Sequence, residues 1–377
     1  MSQGRRGRCH GGMSAPVKIV VLGGGNAGTM AANHLRTRPD LRITLVNPRP
    51  EFVERIRLHQ LAAGSGTATL AYDTLLGEGI ELVVGEAVRI DAAHRRVELT
   101  SGHVEYDYLV YAVGSAGAAP DAAVSLSELE GAQKIAARLA ELPSDAPVVV
   151  VGGGLTGVET AAELAEQGRR VTLVTGGTPA PYASDRGRRM IARTLARLGV
   201  AVRDAQVTDV RPDEVRTGET TIPAALTIWT AGFDVPPLAR TSGLSTDDAG
   251  RLRVDDTLTS VDDDRIVAAG DAADTPLRMS CQAAIPLGVQ AANTVLSRIA
   301  GTEPAAVDQG FTGACVSLGR RVGAIQLARR DDTPVEIVIG GRLAGLIKEQ
   351  VCRGTVWGLR REARKPGSAV WLRGRRR

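Results

Sequence analysis

Two glycine-rich turns are the first residues in this chain whose spacing predicts chemistry. The apolar run Val17–Leu22 leads directly into a Gly-Gly-Gly-Asn-Ala-Gly turn, and a helical pattern and the strand Leu41–Val46 follow. In such a unit the first glycine permits a tight turn, the second lets the backbone approach a pyrophosphate, and the third allows the helix to pack on the strand. The N-terminus of that helix offers free N–H groups to the phosphate. The predicted dinucleotide contacts are Gly23, Gly25, Asn26, Ala27 and Gly28.

The strand after this turn ends in Asn47, where an acidic residue usually holds the ribose hydroxyls of the nucleotide. Asparagine accepts a hydrogen bond but carries no charge. We therefore expect Asn47 to contact the nucleotide, and this turn alone leaves the identity of that nucleotide open.

The same pattern recurs in the middle of the chain. Val148–Val151 leads into a Gly-Gly-Gly-Leu-Thr-Gly turn, then a helix, then the strand Val171–Val174. Two such units indicate two dinucleotides, and a flavin and a nicotinamide that exchange hydride are the economical pair. The alternative is a duplicated fold in which one site has lost its ligand. The predicted contacts are Gly152, Gly154, Leu155, Thr156 and Gly157.

The residues after the second unit's last strand bear on the choice of nicotinamide cofactor. Val174 is followed by Thr175 and two glycines, with no acid. An acid there would hold the 2′-hydroxyl of NADH and repel the phosphate of NADPH. Three arginines lie downstream, so the sequence favours NADPH and leaves NADH open; Thr175 is a predicted contact. The arginines are Arg186, Arg188 and Arg189.

Composition narrows the class of protein. The chain has 377 residues, of which 43% are hydrophobic, and none of its apolar runs reaches the ~18 residues of a membrane-spanning helix. Its four cysteines form no CxxC pair, which argues against a disulfide framework, a structural zinc site and a redox-active dithiol. We predict no metal site, and we expect a reducing compartment. The cysteines are Cys9, Cys281, Cys315 and Cys352.

Three further motifs occur in an order that resembles a known family. They are Tyr108–Gly114, Thr227–Gly232 and Arg265–Asp271. With the two turns they resemble the FAD-dependent pyridine nucleotide oxidoreductases, the two-dinucleotide-binding flavoproteins, over about Val17–Ala300. The resemblance implies that Gly114 and Gly232 lie at the returns to flavin and nicotinamide. It also implies that Asp271, beside Gly270, bonds the ribityl chain of FAD.

Within this family, Gly154–Glu159 is similar to type II NADH:quinone oxidoreductases and apoptosis-inducing-factor-like relatives. That likeness implies that Glu159 lies beside flavin and quinone. The alternative is an acid that is favoured in the first helical turn by the helix dipole. Arg57, His59 and Gln60 are candidates for flavin or substrate contacts, with His59 as a proton donor to reduced quinone, or they merely cap and pack a helix. Cys281 is an activated thiol or a small buried residue.

The fold class that follows is α/β, with two Rossmann-like dinucleotide-binding domains, the second inserted in the first, plus a smaller α+β C-terminal domain. We expect residues 1–12 to be a disordered extension, residues 13–121 and 243–305 to bind FAD, residues 122–242 to bind NAD(P)H, and residues 306–377 to form the C-terminal domain with its basic tail. Helix Ser125–Leu142 is predicted to cross between domains. A helix from near Ile285 to Ile299 is predicted to have Pro286 in its first turn and to point its positive end at the flavin.

The C-terminal domain is predicted to contain the strands Val316–Leu318, Val322–Gln326 and Val335–Ile339 and a helix over Leu343–Leu359. Arg353–Arg377 is strongly basic. An apolar face of that helix, together with Trp371, either meets an anionic membrane surface, closes a homodimer or completes the C-terminal core. The apolar face is formed by Leu343, Leu346, Ile347, Val351 and Trp357.

Three functions compete at this stage. The first is an FAD-dependent oxidoreductase that takes hydride from NAD(P)H and passes two electrons to a quinone-like acceptor. The second is a reductase of a small redox protein, or a flavoenzyme that tailors a natural product. The third is a flavoprotein that senses NAD(P)H and binds a protein or nucleic acid through its basic tail; nucleic acid is the least favoured partner. We expect a cytoplasmic protein, with membrane association left open.

Overall fold

The computed structural model describes residues 15–374 of the chain. The extension predicted for residues 1–12 lies outside the described residues. The helices are α1 (Asn26–Leu35), α2 (Leu58–Ala62), α3 (Leu129–Glu141), α4 (Leu155–Glu166), α5 (Asp185–Arg197), α6 (Leu238–Thr241), α7 (Cys281–Ala300) and α8 (Arg342–Arg364).

The strands belong to several separate sheets. In chain order they are β1 (Val17–Leu22), β2 (Leu41–Asn47), β3 (Glu51–Val53), β4 (Thr69–Ala71), β5 (Ile80–Val84), β6 (Ala87–Asp91), β7 (Arg96–Leu99), β8 (Gly102–Glu105), β9 (Tyr108–Tyr111), β10 (Val124–Ser125), β11 (Pro147–Val151), β12 (Arg170–Val174), β13 (Ala201–Arg203), β14 (Asp209–Val210), β15 (Glu214–Thr217), β16 (Thr220–Pro223), β17 (Leu226–Trp229), β18 (Ile266–Ala268), β19 (Gly313–Ser317), β20 (Gly323–Ala328) and β21 (Pro334–Gly341).

Two parallel sheets of five strands each form the centre of the molecule. The first has the order β18-β9-β1-β2-β5 and the second the order β10-β17-β11-β12-β13. Every strand pair in both sheets is parallel. Helices cover one face of each sheet, and residues of the small antiparallel sheets β6-β7-β8 and β14-β15-β16 pack on the other face of the first and of the second sheet. Because both faces are buried, the strands consist of near-continuous apolar runs. Strand β18 follows the whole second sheet in the chain but pairs with β9 of the first. The second unit is thus inserted in the first, which confirms the predicted fold class.

A small antiparallel sheet and a long helix form the C-terminal part. The sheet has the order β19-β20-β21, and α8 follows it directly. The three predicted strands and the predicted helix are present. Strand β21 and α8 extend beyond their predicted bounds at both ends, whereas β19 starts and ends earlier than predicted and β20 starts and ends later. Two further three-stranded antiparallel sheets, β6-β7-β8 and β14-β15-β16, are attached to the first and second units. The numerical domain boundaries remain predictions.

Two predicted helices differ from those observed. Residue 125 belongs to strand β10, and α3 starts only at Leu129. Its buried face, including Ile135 and Leu139, packs in a core that holds residues of the second unit and also Leu58 and Ala62 of α2. Its passage between domains stays a prediction. Helix α7 begins at Cys281 because the Ser280 side chain caps it by accepting from the N–H of Ala283.

The earlier start of α7 places Pro286 in its second turn. Proline lacks the N–H that would bond the carbonyl four residues earlier. That carbonyl belongs to Gln282, and the Gln309 side chain donates to it at 2.9 Å. The proline is therefore accommodated inside the helix by a bond from outside it.

A buried carboxylate fastens the end of α8 to the first unit. The Glu362 side chain is fully buried, and one oxygen accepts from His34 Nδ1 at 2.7 Å and from the N–H of Gly367 at 2.6 Å. The other oxygen accepts from Ser368 Oγ at 3.2 Å. Burial raises the pKa of Glu362, but these hydrogen bonds outweigh it, and the net pKa lies below the ordinary value. The carboxylate is thus held charged between α1 and α8.

We predict that Glu362→Gln lowers the free energy of unfolding by ~1.5–3 kcal/mol, since a hydrogen bond to a charged group is lost in a buried site. Thermal unfolding of the purified protein measures it. Glu303→Gln, at an exposed position, is the matched control and should leave the midpoint within error. An unchanged midpoint for Glu362→Gln would show that the contact does not fasten the helix.

Candidate functional site

The two glycine turns have the same geometry. Gly23 and Gly152 adopt φ of +103° and +124°, which L side chains rarely adopt. A Cβ on Gly28 would lie 1.8 Å from the carbonyl oxygen of Gly23, and one on Gly157 would lie 1.9 Å from that of Gly152. In both units only glycine permits the helix to start so close to the strand, as the spacing predicted.

Both turns leave the start of their helix free for an anion. Gly25 and Gly154 are the N-cap residues of α1 and α4, neither helix has a side-chain cap, and neither has an acid in its first turn. A Cβ on either glycine would meet no protein atom within 4 Å. Helices α5 and α7, by contrast, are capped by Ser184 and Ser280. The uncapped N–H groups at both turns fit a phosphate, so the residues present fit two dinucleotides.

The first unit's predicted FAD contacts converge at the start of α1. Gly270 has φ of +72°, and a Cβ there would lie 3.0 Å from the Ala27 side chain. Asp271 follows it and accepts a hydrogen bond from Ser115 Oγ at 2.7 Å. Arg55 Nη1 donates to the carbonyl oxygen and the hydroxyl of Ser115 and lies 3.8 Å from the position of a Cβ on Gly114. Arg55 and Ser115 were not predicted; only their contacts in the fold single them out.

Asn26 of the first glycine turn and Asn47 at the end of β2 have contacts within the protein. Asn47 Oδ1 accepts from the N–H of Gly24 at 2.9 Å, and its Nδ2 donates to the carbonyl of Arg49. Asn26 Nδ2 lies 3.4 Å from the sulfur of Cys281. Burial raises the pKa of the Cys281 thiol, so of the two readings the unreactive small residue fits. Asn47 braces the turn, and its contact with a ribose remains a prediction.

The predicted nicotinamide side is bordered by Thr175 at the end of β12. Thr175 Oγ1 donates to the carbonyl of Gly177, and its N–H donates to the carbonyl of Arg203 at the end of β13. Leu155 and Thr156 form the first turn of α4, and Gly232 has φ of +76° with no protein atom within 4 Å of a Cβ.

The arginines downstream of Thr175 are not equivalent in the structure. Arg188 is engaged by Asp185 and by the carbonyl of Ala183. Arg203, not singled out in the sequence, is exposed at the strand end that adjoins Thr175. It is therefore the arginine that the sheet places beside the position of the missing acid.

Four buried polar side chains meet between α4, α2, β19 and α8. Glu159 Oε1 lies 3.0 Å from Lys348 Nζ and accepts from the N–H of Ser317 at 2.9 Å, while Glu159 Oε2 lies 3.9 Å from His59 Nδ1. His59 Nε2 lies 3.4 Å from Ser317 Oγ. Lys348 Nζ also donates to the carbonyl of Cys315 at 3.3 Å. The fold thus brings Glu159 and His59 together and adds Lys348 and Ser317, which the sequence did not reveal.

The charge states in this cluster follow from burial and pairing. Burial raises the pKa of Glu159, but the ammonium of Lys348 and then His59 outweigh it, so the net pKa is lowered; the same pairing raises the pKa of Lys348 against burial. Burial lowers the pKa of His59 to about 4. At neutral pH the cluster therefore holds a carboxylate, an ammonium and a neutral imidazole.

Arg57 lies next to this cluster but is fully engaged by protein groups. Its guanidinium donates to both carboxylate oxygens of Glu349, at 3.1 and 3.0 Å, and to Gln60 Oε1 at 3.0 Å. It also approaches Glu54 to 3.3 Å. Arg57 joins α8 to the first unit, and its contact with flavin or substrate remains a prediction.

A cavity of about 460 Å³ opens beside the cluster. Its buried floor includes Gln60, Ser317, Lys348 and Cys352. Its rim is formed by the β19–β20 turn and the start of α8. A cavity of this size is in the range that holds a small organic ligand, roughly 300–1,000 Å³.

We predict that Glu159→Gln lowers the free energy of unfolding by ~3–5 kcal/mol, because it leaves the Lys348 ammonium buried without its partner. The double variant Glu159→Gln/Lys348→Met should regain most of that loss. Denaturant unfolding of four proteins, which are the unmodified protein, Glu159→Gln, Lys348→Met and the double variant, forms a double-mutant cycle. Strictly additive effects would contradict a coupled pair.

We predict that Asp271→Ala weakens retention of FAD by ~1.5–3 kcal/mol, the value of a hydrogen bond to a charged group. Fluorescence of FAD released on serial dilution measures the affinity. Asp274→Ala, nearby but paired with Arg251, is the control. Unchanged affinity in Asp271→Ala would show that the ribityl contact is wrongly placed.

Comparison with known proteins agrees with this geometry. The NADH dehydrogenase-like protein Rv1812c of Mycobacterium tuberculosis is 33% identical over 325 residues, covering 74% of this chain and 80% of its own length. The type II NADH:quinone oxidoreductase of Haemophilus influenzae is 26% identical over 326 residues, covering 68% of this chain and 73% of its own. The sulfide:quinone oxidoreductase of Aquifex aeolicus superposes with a TM-score of 0.80 at 22% identity over 92% of both chains.

The family assignment rests on a match that covers well over half of the chain. The family described as pyridine nucleotide-disulphide oxidoreductase matches residues 17–292, which include both glycine turns and the Asp271 motif. The resemblance read from the sequence is thereby confirmed, and the cofactors are FAD and NADH or NADPH. The chain belongs to the pyridine nucleotide-disulphide oxidoreductase family.

Proposed function

We propose that this protein oxidises NAD(P)H and reduces a quinone-type acceptor by two electrons. The overall step is balanced: a hydride from NAD(P)H and one proton from water convert a quinone to its quinol and leave NAD(P)⁺. Bound FAD supplies the two-electron chemistry between donor and acceptor. The observation that carries the proposal is the pair of uncapped glycine turns on two sheets of one chain.

The three cysteines in the described part of the chain favour electron transfer to a diffusible acceptor over transfer through a pair of cysteine thiols. Burial raises the pKa of Cys281, Cys315 and Cys352, the last to about 11. All three are free thiols in the described part of the chain, and at neutral pH they are not the thiolates that disulfide exchange needs. Electrons therefore have no dithiol to pass through among the described residues.

The buried cluster supports a quinone at the cavity floor. Lys348 and Ser317 line the cavity, and Glu159 holds both. We assign to Glu159 the task of keeping the Lys348 ammonium in place, where it faces the carbonyl oxygens of an acceptor. His59 is neutral at pH 7, and its Nε2 lies 3.4 Å from Ser317 Oγ. We assign it to relaying a proton to that hydroxyl, one ring nitrogen giving up its proton as the other takes one that comes from water.

The test is stopped-flow reduction of the purified protein by NADPH and by NADH, followed by reoxidation with menadione, ferredoxin-like proteins and oxygen. We expect fast reoxidation by menadione and a kcat/KM that favours NADPH, because the end of β12 carries no acid. Fast reoxidation only by a redox protein would favour the second function considered above. Slow turnover with every acceptor, together with salt-sensitive nucleic-acid binding, would favour the third.

Membrane contact through α8 is part of the proposal. The five predicted apolar residues are all exposed, with Leu343 at 61%, Leu346 at 65% and Trp357 at 59%, so they do not complete the C-terminal core as one reading held. The opposite face of α8 packs inward. Exposed Arg353 and Arg361 lie on the same helix. An apolar face flanked by arginines suits an anionic bilayer.

Two observations define the extent and the kind of the proposed membrane contact through α8. Trp371 donates its ring N–H to the carbonyl of Asp308 at 3.0 Å and packs on the core of the first unit, so it does not belong to the exposed face. Within residues 15–374, each helix is too short or too polar to cross a bilayer. The proposed contact is therefore peripheral, and a homodimer through the same face is the alternative.

We predict that the protein floats with vesicles of phosphatidylglycerol at low salt and much less with phosphatidylcholine. Leu343→Gln/Leu346→Gln should abolish flotation, because it removes apolar surface that is worth ~25 cal/mol per Å² when buried. Val88→Gln, also exposed but on β6, is the control. If the unmodified protein stays unbound, the membrane contact is refuted; dimers that this double variant dissociates would assign the face to self-association.

A further inference from the structure

The rim of the cavity carries a concentration of positive charge. Three arginines line it, two from the β19–β20 turn and one that is the first residue of α8. All three are exposed, whereas the polar groups of the floor are buried. The proposed function assigns roles to residues at the floor of the cavity and none to these arginines. They are Arg320, Arg321 and Arg342.

Two of the three rim arginines have no carboxylate within ion-pair distance. Arg320 has acidic neighbours, since its side chain lies 3.8 Å from Glu163 and its backbone N–H donates to Glu166 at 2.6 Å. Within residues 15–374 no carboxylate oxygen lies within 4 Å of the guanidinium of Arg321 or Arg342. The one carboxylate that lines the cavity, Glu349, already pairs with Arg57 and Arg353. Arg321 and Arg342 are therefore free to bind an anion.

The position of Arg342 adds to this potential. A cation in the first turn of a helix opposes the helix dipole, which favours an acid there by ~0.3–1 kcal/mol. Helix α8 nevertheless begins with Arg342, has no acid in its first turn, and has Gly341 as an N-cap without a side-chain bond. Positive charge is thus present at the start of α8, where the helix dipole favours negative charge.

We propose that this cavity selects quinone-type acceptors that carry an anionic group such as a ring carboxylate. The carboxylate binds Arg321 and Arg342 at the rim, since a guanidinium holds a carboxylate through two parallel hydrogen bonds. The apolar ring extends inward between Leu346 and the floor at Ser317 and Lys348. This inference rests on the proposed function, because it assumes that the acceptor enters this cavity.

The experiment compares menadione with a carboxylated naphthoquinone of the same ring size, in buffer without lipid. The readout is the ratio of the two kcat/KM values, in the unmodified protein and in Arg321→Gln/Arg342→Gln. Each variant is compared on the same pair of quinones, so their different reduction potentials cancel. Arg329→Gln is the control, because Arg329 is an exposed arginine just beyond the far end of β20 that does not line the cavity.

We expect the double variant to lower the carboxylate-to-neutral ratio about tenfold, with menadione itself little affected, and the control to leave it unchanged. Raising the salt concentration should reduce the ratio of the unmodified protein. An unchanged ratio in the double variant overturns the inference. Loss of vesicle flotation in that same variant would then assign the arginines to lipid headgroups.

A calorimetric titration with the carboxylated naphthoquinone separates this inference from the proposed function. If neither quinone is reduced, the proposed function fails, but binding that is lost in the double variant still supports an anion-selective cavity. If menadione is reduced and the carboxylated quinone neither binds nor reacts faster, the proposed function stands and the inference is wrong.

Discussion

The buried contact between Glu159 and Lys348 is the interaction on which the packing of the C-terminal part against the second unit depends. It joins α4 of the second sheet to α8 of the C-terminal part, and through Ser317 it reaches β19. Two buried charges cost several kcal/mol each to remove from water and are tolerated only when paired and further hydrogen-bonded. Both conditions hold here. Besides pairing with each other, Glu159 accepts a hydrogen bond from the N–H of Ser317, and Lys348 donates one to the carbonyl of Cys315. A shift of either of these two units would break these contacts.

Two other contacts fix α8 along its length. Arg57 joins Glu349 near the middle of the helix, and His34 joins Glu362 near its end. The helix is thus bonded by charged groups to both dinucleotide units on one face, while its other face stays apolar and exposed. The polar contacts determine which face turns outward, and so they orient the surface that we propose for the membrane.

Sequence patterns predicted most of the fold because its constraints are local. The two glycine turns, the apolar runs of parallel strands and the order of motifs each depend on neighbouring residues, and all are present. The predicted start of α7 is too late because a proline is typical of a first helical turn, whereas the Ser280 cap starts this helix at Cys281 and leaves Pro286 in the second turn. The sequence could not predict that Lys348 and Ser317 contact Glu159, because both lie far from it in the chain. No local pattern distinguishes a lysine that will be buried from one that will be solvated. The roles of Asn47, Arg57 and His59 stay predictions.

Strand β18 is separated in the chain from β9, its partner in the first sheet, by the whole second sheet. This order has a consequence for folding during synthesis. The second sheet uses strands from Val124 to Trp229, a continuous stretch, so it can close as soon as that stretch leaves the ribosome. The first sheet begins earlier but lacks one edge until Ile266–Ala268 emerges and pairs with β9. Until then β9 presents an unpaired edge, the kind of template on which chains aggregate. The chain order therefore makes every strand of the inserted sheet available before the first sheet can gain its β18 edge.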